Sequence, residues 1–279
     1  MFILQSFAKI NWGIWLLGRR PDGYHEIFTP IQKTTLCDFI RIKPSATLRV
    51  ETSNGIPQRK NFVYIGLKKF EKLTGIKTPF DIFIEKKIPV GGGLGGGSSN
   101  LATVLNWVND YFGKPLKRKE LLGLLSEISS DAPAFLCDGV ALAEGRGERI
   151  TCLNLKSFKG RKITLLVPEG ISSPTGLIYS KTEPSMFSSK EKIERIRKLL
   201  LRDDFESFLR VLENPLGEIF LNLHPEVRKD IDTLRKKCYK DIFVSGSGSS
   251  LFTVGSLEGC GDILDRLNLS YKIIPLATL

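Results

Sequence analysis

Apolar and polar residues alternate with a period of two over residues 3–17, with Phe7, Lys9 and Asn11 on one face and Ala8, Ile10 and Trp12 on the other. That pattern predicts a strand carrying a lysine and an asparagine side by side, which from this segment alone reads better as a solvent-facing edge strand than as one projecting into a cleft. Further short strands are expected near 36–43, 46–52 and 80–85, with a helix near 61–73. Leu101, Val104, Leu105, Val108 and Phe112 recur at helical spacing, so 99–112 is expected as one helix, followed by another near 118–129. Residues 139–152 read as strand with a turn at Gly145–Gly147. The polar, basic stretch from Leu153 to Gly160 predicts a boundary between a domain of residues 1–153 and one of 154–279. Beyond it come a strand at 162–167, several helices between 175 and 236, strands at 241–244 and 251–254, a helix at 257–267 and a strand at 271–275. That order suits a ferredoxin-like βαββαβ sandwich with inserted helices.

The densest signal lies between a strand and a helix, where Ile88 to Ala102 reads IPVGGGLGGGSSNLA. Six glycines in so short a span cost folding free energy, roughly 0.5–1 kcal/mol each relative to alanine. Such a loop suits backbone that must approach a ligand closely or turn through positive φ. Ser98, Ser99 and Asn100 supply N-cap chemistry for the helix that follows. A strand, a glycine loop and a helix N-terminus together make an anion site, because unpaired N–H groups and the helix dipole converge there. A Walker A loop is excluded, since no lysine followed by Ser or Thr completes this segment. Gly91-x-Gly93-x-x-Gly96 fits the dinucleotide fingerprint by letter, but no second strand fits before Asp110, where that fold places its acid.

Three other segments offer candidate chemistry. The turn-rich GRRPDGYHE loop, Gly18 to Glu26, presents Tyr24 and His25. Asp131, in Ser-Ser-Asp-Ala-Pro, occupies a position suited either to a helix cap or to a working carboxylate. Ser245 to Ser250, SGSGSS, is a second segment able to turn backbone N–H groups toward phosphate, or simply a hairpin.

Composition narrows the class. The chain has 279 residues, 42% hydrophobic and 25% charged, as in a globular protein with a sizeable core. No run approaches the ~20 apolar residues of a membrane helix, and the first residues do not resemble a signal peptide. Five dispersed cysteines without a C-x-x-C point to reduced thiols and a cytoplasmic setting, and against a zinc site. A formal charge of +11 favours anionic partners. The basic residues are scattered, so a small polyphosphate fits better than nucleic acid, and no membrane partner is indicated. Oligomeric state is not encoded in any feature of the sequence.

AKINWGIWLLGRRPDGYHEI, PVGGGLGGGSSNLA and FVSGSGSS resemble, in that order, the three motifs of the GHMP kinase superfamily. The likeness spans nearly the whole chain. Within the superfamily, A-K-I-N, the Asp-Gly-Tyr-His box and the GLGGGSSN form of the loop resemble the branch acting on 4-diphosphocytidyl-2-C-methyl-D-erythritol in non-mevalonate isoprenoid precursor synthesis. The resemblance implies an α+β, two-lobed fold: an N-terminal mixed-sheet lobe with helices, a C-terminal ferredoxin-like lobe, and an active site in the cleft between them. It implies ATP as co-substrate with Mg2+, and phosphoryl transfer to the 2-hydroxyl of the methylerythritol unit. Asp131 matches the family's catalytic aspartate and Lys9 its catalytic lysine, which offsets charge on the transferring group. Pro89, Val90, Gly91, Gly92, Gly93, Leu94, Gly95, Gly96, Gly97, Ser98 and Ser99 match the ATP loop. Asn11 would bind the polyol, while Tyr24, His25 and Tyr179 would recognise cytosine. Where many superfamily members carry a metal-binding serine this chain has Gly96 and Gly97, so the metal ligand is left unassigned. Homoserine, mevalonate and sugars are the acceptors of rival branches.

Overall fold

In a computed structural model, which describes residues 1–257, 260, 262–267 and 270–279, strands and helices follow in a mixed order. The first half holds β1 (Phe2–Asn11), β2 (Trp15–Arg19), β3 (His25–Pro44), β4 (Arg49–Thr52), α1 (Phe62–Thr74), β5 (Phe80–Glu85), α2 (Gly96–Tyr111), α3 (Arg118–Ile128), β6 (Val140–Gly145) and β7 (Arg149–Leu153). The second holds β8 (Lys162–Pro168), α4 (Thr175–Ser180), α5 (Lys190–Leu201), α6 (Phe205–Leu209), α7 (Pro215–Leu223), α8 (Pro225–Cys238), β9 (Phe243–Val244), β10 (Leu251–Val254), α9 (Asp262–Leu267) and β11 (Tyr271–Ala277). Of the helix expected at 257–267, residues 258, 259 and 261 lie outside the described residues.

The chain forms two compact units, interleaved in sequence. One comprises residues 1–9, 36–89 and 95–138, the other 10–35, 90–94 and 139–279. The expected boundary near 153 falls inside the second unit; the segment 154–161 instead separates the strands of two different sheets.

In the first unit β5 runs parallel to β4 and antiparallel to the later half of β3. Ile40, Ile42, Ile82 and Ile84 of these strands share a core with Val63, Leu67 and Phe70 of α1, Leu101, Val104, Leu105 and Val108 of α2, and Leu121, Leu124 and Leu125 of α3. Each helical set repeats every three or four residues, so one face of each helix is buried. A β-carbon at Gly66 would collide with Leu101, which is why α1 and α2 can lie so close.

In the second unit the early half of β3 pairs with β2 and with β6, and β6 pairs with β7. A separate antiparallel sheet has the order β11-β8-β10-β9, the 4-1-3-2 arrangement of a βαββαβ connection. Leu166, Val244 and Leu251 of that sheet pack with Leu216, Ile219 and Phe220 of α7 and Val227, Ile231 and Leu234 of α8. The α+β, ferredoxin-like expectation therefore holds.

Two local expectations need correction. Residues 27–35, given no element by the sequence pattern, belong to β3. Pro30 normally argues against a strand interior, but it lacks only a donor; its carbonyl accepts from Trp12 N at 3.0 Å, opposite Leu142. Cys137 and Cys152 are disulfide-bonded, so not all five thiols are reduced; Cys37, Cys238 and Cys260 are free. Among the described residues no helix is long and apolar enough to cross a membrane.

Candidate active site

The glycine segment leaves β5 through Pro89 and exposed Val90 and Gly91, then enters α2. The helix begins at Gly96, three residues earlier than the apolar spacing predicts. Its N-cap is Gly95, at φ 69° and ψ 18°, and no side chain caps it. A glycine accepts that left-handed conformation without the steric cost of a β-carbon. Ser98, Ser99 and Asn100, expected as caps, sit inside the first turn and are buried. Ser98 Oγ lies 2.7 Å from Ser129 Oγ, and Ser99 Oγ accepts from Ser6 Oγ at 2.7 Å. The first amides of a 16-residue helix are thus left without a side-chain acceptor, at the positive end of its dipole.

Lys9 lies directly beside this helix start. A β-carbon on Gly95 would stand 3.1 Å from Lys9 Cγ and 2.7 Å from Phe135 Cζ, so only glycine fits. The Lys9 side chain is 4% exposed, and its Nζ lies 3.4 Å from Asp131 Oδ2. Burial on both faces of β1 excludes a solvent-facing edge strand for Lys9. Asp131, 43% exposed at its side chain, occupies the N-cap position of the short turn Ala132–Leu136 but makes no capping hydrogen bond. The carboxylate is therefore reachable from solvent and paired with a buried ammonium. A buried cation, a reachable carboxylate and an uncapped helix N-terminus are the parts phosphoryl transfer needs: alignment and charge compensation.

Beneath α2 lies a buried polar cluster that sequence reasoning missed. Asp38, fully buried on β3, accepts from Lys87 N at 2.7 Å and Ile88 N at 2.9 Å through Oδ1. Its Oδ2 accepts from the Lys86 ammonium and from Asn100 Nδ2, the latter at 2.9 Å. Lys86 Nζ also donates to Asn100 Oδ1 at 3.0 Å, and Asn100 Nδ2 to Ser6 Oγ at 2.9 Å. One carboxylate thus ties the chain just before the glycine loop to the first turn just after it. The lone signal in the sequence is an aspartate within the apolar run around 36–43.

In the second unit, Gly92 and Gly93 lie against the SGSGSS turn. Ser250 N donates to Gly92 O at 3.2 Å, and a β-carbon on Gly93 would stand 2.6 Å from Gly248 O. Asn11, 4% exposed, donates from its backbone to Ser245 Oγ at 3.2 Å and from Nδ2 to Thr29 Oγ1 at 2.9 Å. The turn is therefore packed structure, with the amides of Ser245, Gly248 and Ser250 bonded within the protein.

The same unit gathers an aromatic group. His25, at the first position of β3, is buried; its ring centroid lies 5.1 Å from that of Tyr179 and 6.4 Å from that of Phe187. Its Nε2 lies 2.7 Å from Thr182 Oγ1. Burial, and after it the charge of Arg19, push the imidazole below its ordinary value of 6.5. Tyr24 is exposed, with the Arg146 guanidinium 5.3 Å from its ring centroid. Phe187 and Thr182 were missed by the sequence reading because they sit in a serine-, threonine- and proline-rich stretch with no periodic pattern.

Residues 61–139 match the family model described as the GHMP kinases N terminal domain. A 4-diphosphocytidyl-2-C-methyl-D-erythritol kinase of Persephonella marina is 46% identical over 92% of this chain and 93% of its own length. One from Sulfurihydrogenibium sp. is 41% identical over 91% of this chain and 92% of its own length. A crystal structure of 4-(cytidine 5'-diphospho)-2C-methyl-D-erythritol kinase superposes with a TM-score of 0.79 at 27% identity, covering 99% of both chains.

Proposed function

Because this chain belongs to the family of 4-diphosphocytidyl-2-C-methyl-D-erythritol kinases, within the GHMP kinases, we propose that it transfers the γ-phosphoryl group of ATP to the 2-hydroxyl of 4-diphosphocytidyl-2-C-methyl-D-erythritol. The observation that carries the mechanism is the Lys9–Asp131 pair, 3.4 Å apart beside the uncapped start of α2. Asp131 orients the acceptor hydroxyl and takes its proton as the O–P bond forms. Lys9 offsets negative charge on the transferring group. Pro89 to Ser99 carry the nucleotide phosphates, chiefly through the amides at the start of α2. Asn11, its amide anchored on Thr29, contacts the polyol.

Tyr24, His25 and Tyr179 hold cytosine. Stacking on an aromatic ring is worth about 1–3 kcal/mol per base, which makes the base the handle that selects the substrate. His25 must be neutral to keep one ring nitrogen as an acceptor. Its depressed pKa sets the sign of the pH response: KM for the cytidine substrate is expected to rise as pH falls, with the midpoint of the rise below 6.5. Steady-state kinetics in buffers of constant ionic strength check this; a rise already complete at 6.5 would remove His25 from base recognition.

Magnesium belongs to the reaction as a passenger on ATP, where it neutralises phosphate charge. Among the described residues no three His, Cys, Asp or Glu side chains come together, and Ser99, a tempting ligand, is buried against Ser6. A dedicated protein cage does not fit these residues; an ion held mainly by substrate phosphates and water does. We place the reaction in the cytoplasm, where ATP is made.

The deciding assay is ADP release with ATP, magnesium and the cytidine-diphosphate methylerythritol substrate, beside homoserine and mevalonate. Turnover with the cytidine compound alone is expected. Turnover with a control instead would keep the Lys9–Asp131 pair and discard the substrate.

A further inference from the structure

We propose that Thr182 is a specificity-determining positioning residue: its hydroxyl locks His25 in the Nε2–H tautomer, leaving Nδ1 as an acceptor that distinguishes the exocyclic amine of cytosine from the O4 of uracil. The proposal rests on the cytidine reading above and adds to it the group that sets the sense of the hydrogen bond.

Thr182 Oγ1 has two close partners, Tyr179 O at 2.9 Å and His25 Nε2 at 2.7 Å. A hydroxyl has one hydrogen and two lone pairs. Tyr179 O can only accept, so the hydroxyl must donate to it; otherwise two oxygens would face each other at 2.9 Å with no proton between them. The hydroxyl oxygen is then an acceptor toward the ring, and Nε2 must carry the hydrogen. In a neutral imidazole the other nitrogen is unprotonated. Burial and the Arg19 charge favour that neutral form. The backbone supports the arrangement, since Thr182 N also lies 3.3 Å from Tyr179 O, holding the residue against the end of α4. Among the described residues Nδ1 makes no hydrogen bond. Cytosine presents an N4–H2 donor where uracil presents an oxygen. An acceptor at Nδ1 pairs with the first and repels the second.

The experiment has two readouts on wild type, Thr182→Val and Thr182→Ser. The first needs no substrate: 15N shifts of the imidazole nitrogens at a pH above the histidine range, with His224, the other of the two histidines, removed by His224→Gln. The wild type and Thr182→Ser should show a protonated Nε2 and an unprotonated Nδ1, and Thr182→Val a tautomer mixture. The second is the ratio of kcat/KM for the cytidine substrate over its uridine counterpart. That ratio should fall about tenfold in Thr182→Val, the scale of one base-edge hydrogen bond, through KM for the cytidine substrate and not KM for ATP, and return in Thr182→Ser. A protonated Nδ1 in the wild type, or a valine variant with unchanged tautomer and preference, overturns the proposal. A wild type that does not prefer cytidine while its tautomer is as stated overturns the substrate reading, and with it the selective role of Thr182.

Discussion

Asp131→Asn is expected to lower kcat about a hundred- to ten-thousand-fold, the range associated with a positioned proton acceptor, with KM for ATP little changed. Asparagine keeps the size and one carbonyl oxygen of aspartate, so the site should keep its shape. What it loses is a lone pair basic enough to take the hydroxyl proton and the negative charge that faces Lys9 Nζ at 3.4 Å. The carboxylate is partly open to solvent, forms no cap and leaves an amide oxygen in its place facing Lys9, so the stability loss should be smaller than for removing a fully buried partner. Thermal unfolding of the variant would then show a cooperative transition close to that of the parent. A fall in kcat and kcat/KM by the same factor marks an interaction made in the transition state. Near-normal turnover would show that Asp131 takes no proton, leaving alignment by Lys9 and the helix amides as the whole of the catalysis.

Asp38→Ala should have the largest effect on stability, about 3–5 kcal/mol, the usual cost of removing one partner of a buried ion pair. Asp38 is fully buried, and the Lys86 side chain is 7% exposed. Removing the carboxylate strands the ammonium and also orphans the amides of Lys87 and Ile88. Urea denaturation followed by circular dichroism measures the loss. The double variant Asp38→Leu/Lys86→Met should recover only the part owed to the stranded ammonium, because Lys87 N and Ile88 N stay without an acceptor. KM for ATP should be raised in both variants, since the tie between Lys87–Ile88 and Asn100 is gone in either. A loss under about 1 kcal/mol for Asp38→Ala would mean that water reaches Lys86 and the cluster is not closed.

Much of this protein was readable before any fold was known, and the parts divide by range. The helix at 62–74, capped by Asn61, the strand at 80–85 and the order of strands and helices after residue 160 depend on residues close in sequence. Local propensity and periodicity therefore determine them. The glycine loop also announced its chemistry, because glycine density and the helix after it lie within one short stretch. Three motifs in a fixed order then determined the family. The rest depends on residues that meet only after folding. The strand through Pro30 exists because Trp12 and β6 supply its partners, which no local pattern around a proline can reveal. Gly95, not a serine, is the N-cap of α2 because Lys9 and Phe135 occupy the space a side chain would need. The Asp38–Lys86–Asn100 cluster and the Thr182–His25–Tyr179 relay join segments far apart in sequence. Their geometry follows from packing, which sets distance and direction to a fraction of an ångström. The sequence by itself determined which groups the protein carries and the family it belongs to. Only tertiary structure decided that Lys9 faces Asp131, and that His25 meets Thr182 and Tyr179.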